Sequence, residues 1–537
     1  MGWTLLRRTA LALGIATSLI GLSPLVGETN ALAQGQPRTL RAVMHADLRS
    51  IDPHWTTATI TGIHGLLVYD TLFGVDGDGV PRPQMVGDYS VSPDRLLWTF
   101  TLREGLEFHD GSPVTTADVI ASLRRWSRRD GPGGRLFSFV TDLSAVDART
   151  FTMRLSEPYG LVLDTLGKSG TSVPVIMRKQ EADTDPNTQI TEVIGSGPFK
   201  FLRDQWQPGA RAIYERNPTY RPRSEAPSGL AGGKVAKVDR VELVWIPDGQ
   251  TAVQALIAGE IDYLEQPSID FLRQLQRARN VQLMRLGSIP THHGLIRLNH
   301  LHAPMDNMKF RQGMQYLIDQ KDFLEGVIGN AEYYDVCPSM FICGAGVQSI
   351  AGGDRIKNAS VERARATFRE AGYTGQPITV LHATDHHTIN PSTQVLIQKM
   401  REAGLTLDVQ AMDWGAVVTR RARREPPAQG GWHIFVTTTS GTSTANPAFH
   451  LSVGAACERE WFGWPCDAQV EQLRREFAFA TPDQRQSIAD RLHARAMEVV
   501  TYLPFGQWTQ PMAFRSDRVS GVVPIAGIAV FWNIERR

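Results

Sequence analysis

The chain has 537 residues, with 56 Lys and Arg against 55 Asp and Glu, 42% hydrophobic and 21% charged residues. This balance excludes a disordered chain and a polytopic membrane protein, and at roughly 150 residues per domain the length exceeds any single small binding module. A formal charge of +1 supplies no field for nucleic acid or anionic lipid, and neither is expected as a partner.

Arg7 and Arg8 precede an uncharged run over 9–27 whose apolar centre is Ala10 to Leu22, and Ala31-Leu32-Ala33 follows. This is the order of a secretory signal peptide, residues 1–33, cleaved after Ala33. An uncleaved anchor is the rival, weakened by Gly14, Gly21, Pro24 and Gly27 within the run. The reading places the mature protein in the periplasm. The paired arginines fit a twin-arginine signal only loosely, so the export route stays open.

Further along, Trp98, Phe100 and Leu102 alternate with Thr and predict a strand, continued after the turn at Arg103-Glu104-Gly105 by a second strand at Leu106 and Phe108. Thr115 with Asp118 predicts a capping box for a helix that buries Val119, Leu123 and Trp126. Gly195-Ser196-Gly197-Pro198 is a turn feeding a strand, not a phosphate loop, because no Gly-Lys-Ser/Thr follows. Val241 to Ile246 reads as a buried strand, Thr251 onward as a helix stopped at Gly259, and Gly294 to Asn299 as a strand ahead of a helix with Phe310 and Met314 inward. Helices are predicted over Val361 to Ala371 and Thr393 to Ala403, with strands at Ile378 to His382 and Leu405 to Met412. The mixed order, without a fixed repeat, argues for α/β domains.

Four cysteines, Cys337, Cys343, Cys457 and Cys466, form two local pairs. In an exported chain these read as two disulfides; three connectivities are possible and the local one asks least of the fold. Neither spacing is the short one preferred by zinc.

WTFTLREGLEFHDGSPVTTADV at Trp98, IGSGPFKF at Ile194, ERNPTYRP at Glu215, ALIAGEID at Ala255 and RLNHLHAPMDNMKFRQGMQYLID at Arg297 occur in this order. Together they resemble the extracytoplasmic solute-binding proteins of the dipeptide, oligopeptide and nickel importers. The resemblance implies a type II periplasmic-binding clamshell of the large peptide-binding kind. Lobe I would take 34–295, with an extra subdomain over roughly 80–195, lobe II 296–501, and the chain would return to lobe I over 502–537. The two crossings would lie near 294–299 and 502–507. It implies a monomeric binding component that captures a peptide or peptide-like solute and delivers it to membrane permease subunits served by a separate ATPase, with no enzymatic activity and no cofactor.

By the same resemblance Trp414 lines the ligand cavity. Peptide-binding relatives take the ligand's ammonium with an aspartate in a later loop and its carboxylate with an arginine in an earlier one, because an ion in a closed cleft needs a compensating charge. Here the later loop, with Ser440, Thr442, Ser443 and Asn446, has no acid, and the earlier region offers Asp385 and His387 where the arginine would stand. Hydroxyls and amides instead suit a neutral, polar ligand. His293, with His292, stands beside the expected hinge, and the pairs His292-His293 and His386-His387 raise a nickel or metallophore alternative, although neighbours on a strand point to opposite faces. A secreted hydrolase is the reading from another class. It lacks a Gly-x-Ser-x-Gly elbow or His-Glu-x-x-His, and His109-Asp110 reads as a turn.

Overall fold

A computed structural model describes residues 37–170, 172–285, 290–344, 347–525 and 528–537; the side chains of Thr442 and Pro482 are not among those described. The proposed signal peptide lies outside the described residues. Residues Arg38–Arg537 form one compact unit.

Two large sheets organise that unit. The first has seven strands in the order Val281–Met284, Met512–Arg515, Tyr263–Leu264, Thr39–Val43, Arg240–Val244, Arg211–Arg216 and Phe199–Phe201. Its central strand Thr39–Val43 runs parallel to both neighbours. The second has six strands in the order Tyr334–Asp335, Leu503–Trp508, His292–Leu298, Ile434–Ser440, Ile378–Ala383 and Leu407–Met412. Three of these, His292–Leu298, Ile378–Ala383 and Leu503–Trp508, are buried along their whole length, as strands covered on both faces must be. The helix Ile389–Glu402 covers Ile378–Ala383, and Gln320–Val327 covers Leu503–Trp508. The seven-stranded sheet takes its strands from residues up to Met284 and again from Met512 to Arg515, and the six-stranded sheet takes all of its own from between them.

A third, four-stranded antiparallel sheet, Val86–Val91, Leu97–Leu102, Thr150–Leu155 and Val140–Ala145, carries the helices Thr116–Ser127 and Gly131–Phe139. Trp98, Phe100 and Leu102 face inward, and Phe100 stacks on Phe151 at 5.1 Å. The capping box forms, with the Thr115 backbone N–H donating to Asp118 Oδ2 at 2.9 Å. The helix Gly249–Ala258 is capped by Asp248 and stopped by Gly259 at φ +79°.

Three sequence readings shift. Leu106 to Phe108 is not a strand: Phe108 N–H bonds Ser112 O at 2.8 Å and Val114 N–H bonds Leu106 O at 2.9 Å, so the segment closes on its own loop and not on a neighbour. His109 and Asp110 are tied into that loop, His109 Nε2 lying 3.1 Å from Gly197 O and Asp110 holding Ser112 and Arg178. The helix predicted from Thr393 begins at Ile389, since Pro391 falls in the first turn, where its missing N–H costs no hydrogen bond. The strand predicted from Gly294 begins at His292.

The disulfides join Cys337 to Cys343 and Cys457 to Cys466, the local connectivity.

Candidate functional site

Between the two large sheets lies a cavity of about 540 Å³. The lobe of the seven-stranded sheet supplies His45, at the end of strand Thr39–Val43, Thr57, just before the helix Thr59–Val68, and Gln266. The other lobe supplies His292, the end of strand Ile434–Ser440, Trp414 and Trp461. Strand ends and the loops after them therefore build the walls, the usual place for ligands in α/β sheets.

Four predicted residues, Trp414, Ser440, Ser443 and Asn446, line this cavity. Trp414 opens the helix Trp414–Arg420, whose N-cap Asp413 accepts from Ala416 N–H at 3.0 Å. Asp385 is not in the wall. Its Oδ1 accepts from Trp414 N–H at 2.7 Å, so it positions the tryptophan, and burial pushes its carboxyl pKa up. His387 is likewise set back, stacked on His386 at 5.2 Å, and His386 is the cavity-facing member of that pair. The hinge pair divides in the same way. His292 faces the cavity, stacked on Trp508 at 5.5 Å, while His293 is fully buried and meets Tyr502 edge-on at 6.3 Å. The alternation of a strand makes this division necessary. The Thr442 side chain lies outside the described residues.

The histidines form a cross-cleft cluster. His45 Nδ1 sits 2.7 Å from Glu265 Oε2, and the His45 ring lies 5.9 Å from that of His386 on the opposite lobe. Gln266 Nε2 donates toward His292 Nε2 at 3.3 Å. Burial pulls His292 down to about 3 and His387 to about 4, so both are neutral at pH 7. Burial opposes the Glu265 charge, but His45 outweighs it and holds that carboxyl below its usual range. Among the described residues no three His, Cys, Asp or Glu side chains are grouped to hold a metal ion.

Sequence reasoning missed Arg421, Thr57 and Trp461. Arg421 is 2% exposed and borders the cavity, its guanidinium 5.5 Å from the Trp414 ring and 5.0 to 5.7 Å from those of Phe462, Phe435 and Trp461. Burial lowers its pKa to about 9. The Thr57 hydroxyl accepts from both Arg421 Nη2, at 3.0 Å, and Trp461 Nε1, at 3.2 Å, and so bridges the cleft. A second bridge joins Arg135 to Glu471 at 3.0 Å. Arg421 follows Trp414 by seven residues, two helical turns, and that spacing is the signal that could have found it.

Two α/β lobes joined by two crossing segments, with a polar cavity walled by both, define a two-lobed periplasmic-binding-type receptor for a small solute. The sequence profile described as bacterial extracellular solute-binding proteins, family 5 middle, matches residues 80–456. A probable peptide ABC transporter periplasmic-binding protein of Sinorhizobium fredii is 38% identical over 540 residues, covering 99% of this chain and all of that protein. Among solved structures, the periplasmic binding protein DppA of Helicobacter pylori in complex with the peptide STSA superposes with a TM-score of 0.76 at 21% identity, covering 93% of this chain and 98% of that one. AgaA of A. tumefaciens R10, in complex with agropinic acid, superposes with a TM-score of 0.74 at 22% identity over 93% of this chain and 99% of its own. The chain belongs to family 5 of the bacterial extracellular solute-binding proteins, and its role is that of the substrate-binding component of an ABC importer.

Proposed function

We propose that the mature chain, exported to the periplasm and cleaved after Ala33, captures a peptide or peptide-like small solute in the cavity between its lobes. It then presents the closed complex, as a monomer, to the permease of an importer driven by a separate ATPase. Residues 34–290 and 510–537 would form one lobe and the intervening residues the other. The observation that carries this reading is the cavity itself: its volume suits a molecule of a few residues, and hydrogen bonds donated to Thr57 by Arg421 and Trp461 tie its two walls together. Contacts made to both lobes at once favour the closed state, which is how a ligand shifts such an equilibrium. The names of the Sinorhizobium and Helicobacter proteins support a peptide, while AgaA is in complex with agropinic acid. Nucleic acid has no place in this scheme, since the net charge is +1. The test is the native mass of protein purified from a bacterial periplasm against its denatured mass. A non-covalent excess, and an N-terminus at Gln34, are expected. Conversion of the released ligand by the protein, or retention of 1–33, would refute the corresponding part.

A further inference from the structure

Resting on the reading that this cavity is the capture site, we infer that its ligand is an organic anion whose carboxylate docks on the guanidinium of Arg421.

The argument begins with how the other buried arginines are satisfied. Arg125 pairs with Asp52 at 2.6 Å, Arg474 with Glu471 at 2.8 Å, and Arg297 donates to four backbone carbonyls. Arg421, among the described residues, has no carboxylate within ion-pair reach and donates one hydrogen bond, to the neutral Thr57 hydroxyl; its Nε is buried without a partner. A guanidinium carries five N–H donors in one plane. The surrounding rings of Trp414, Phe435, Trp461 and Phe462 offer the charge their faces, which lessens the penalty of burial without accepting a hydrogen bond in the guanidinium plane. What remains is a cation at the wall of the cavity between the lobes, with a single guanidinium hydrogen bond made and Nε without a partner. A carboxylate is the group that matches that fork in charge and in geometry.

Asp76, Asp78 and Asp164 border the cavity and Glu265 stands behind His45, yet among the described residues none of these carboxylates comes within ion-pair reach of Arg421. Glu265 is held by the ring and the backbone N–H of His45, and the carboxylate of Asp76 by Arg82 and the Val80 and Asp78 N–H groups. The strand and loop over 437–446 contribute hydroxyls and an amide. The structure thus replaces the neutral ligand expected from sequence with an acidic one. The cation is present, but on the helix after Trp414, not in the loop at Asp385 and His387.

The test uses the mature protein with dipeptides, N-acyl amino acids and sugar acids, each as the free carboxylate and as its primary amide, scored by thermal stabilisation and then by calorimetry. Carboxylates are expected to bind, and their amides about 10- to 100-fold more weakly, the range of a charge-assisted hydrogen bond. R421M should bring acid and amide to equal affinity, and R421K, which keeps the charge and loses the fork, should fall between. Methionine amid four aromatic rings leaves no buried charge, so the variant is expected to fold; its melting curve is the check. An amide that binds as tightly as its acid, or R421M that keeps the preference for acids, overturns the inference and leaves solute capture intact. Failure of every compound, charged and uncharged, counts instead against the capture reading, and against this inference with it.

Discussion

Replacing Thr57 by valine isolates one of the contacts that tie the lobes together. The change conserves shape but removes the oxygen that accepts from Arg421 Nη2 at 3.0 Å and Trp461 Nε1 at 3.2 Å. A hydrogen bond to a charged donor contributes about 1.5–3 kcal/mol and one to a neutral donor about 0.5–1.5 kcal/mol. Water reaches both donors once the cleft opens, so the loss falls on the closed state alone. Taking about 2–3 kcal/mol for the pair, the closed population relative to the open one should drop roughly 30- to 150-fold, at tenfold per 1.4 kcal/mol. Calorimetry with the tightest-binding carboxylate should show that weakening, and small-angle scattering of the unliganded protein should show a larger radius of gyration. The melting temperature without ligand should stay within about 2 °C of the parent, because neither lobe loses an internal contact. Unchanged affinity and an unchanged radius would refute the assignment of Thr57 as a bridge.

Three other perturbations probe different levels of the structure. Burial lowers His54 to about 4, His64 to about 3, His293 to about 3 and His292 to about 3, below the ordinary 6.5. From about pH 6.5 down to 4 the unfolded chain binds protons that the folded chain refuses, so stability is full above pH 6.5 and lost as pH falls. Thermal scans should show this decline, and a flat melting temperature between pH 7 and 4.5 would contradict it. Removing Cys457 and Cys466 together should cost about 2–3 kcal/mol by loop closure. Because the bridged loop carries Trp461, it should also weaken ligand binding more than the matching Cys337 and Cys343 double variant does. Equal binding by the two variants would count against Trp461 as a wall. In Gly197→Ala the new Cβ would lie 2.7 Å from the backbone carbonyl carbon of Val68, which cannot swing aside as a side chain would, and denaturant unfolding should reveal a loss of about 1–3 kcal/mol.

Much of the scaffold was legible because local physics sets it. The alternation around Trp98, the Thr115 and Asp118 capping box and the Gly259 stop each involve residues a few positions apart, and each appears where the pattern places it. The Leu106 to Phe108 segment misled because alternation shows that a stretch can pair and not whether a partner strand is beside it. The site divides along the same line. Trp414 was found through a family motif, and the loop over 437–446 through its composition.

Sequence by itself determined the α/β class and the family, carried by short-range patterns and by ordered motifs along the chain, and it favoured the local disulfide pairing among three, which the structure settled. Only the tertiary structure decided which histidine of each adjacent pair faces the cavity, and that Thr57 meets Arg421 from 364 positions away. It alone showed that Arg421 has no carboxylate partner among the described residues, because the pairing of a buried charge depends on which side chains packing brings within about 4 Å, a distance that linear spacing does not encode.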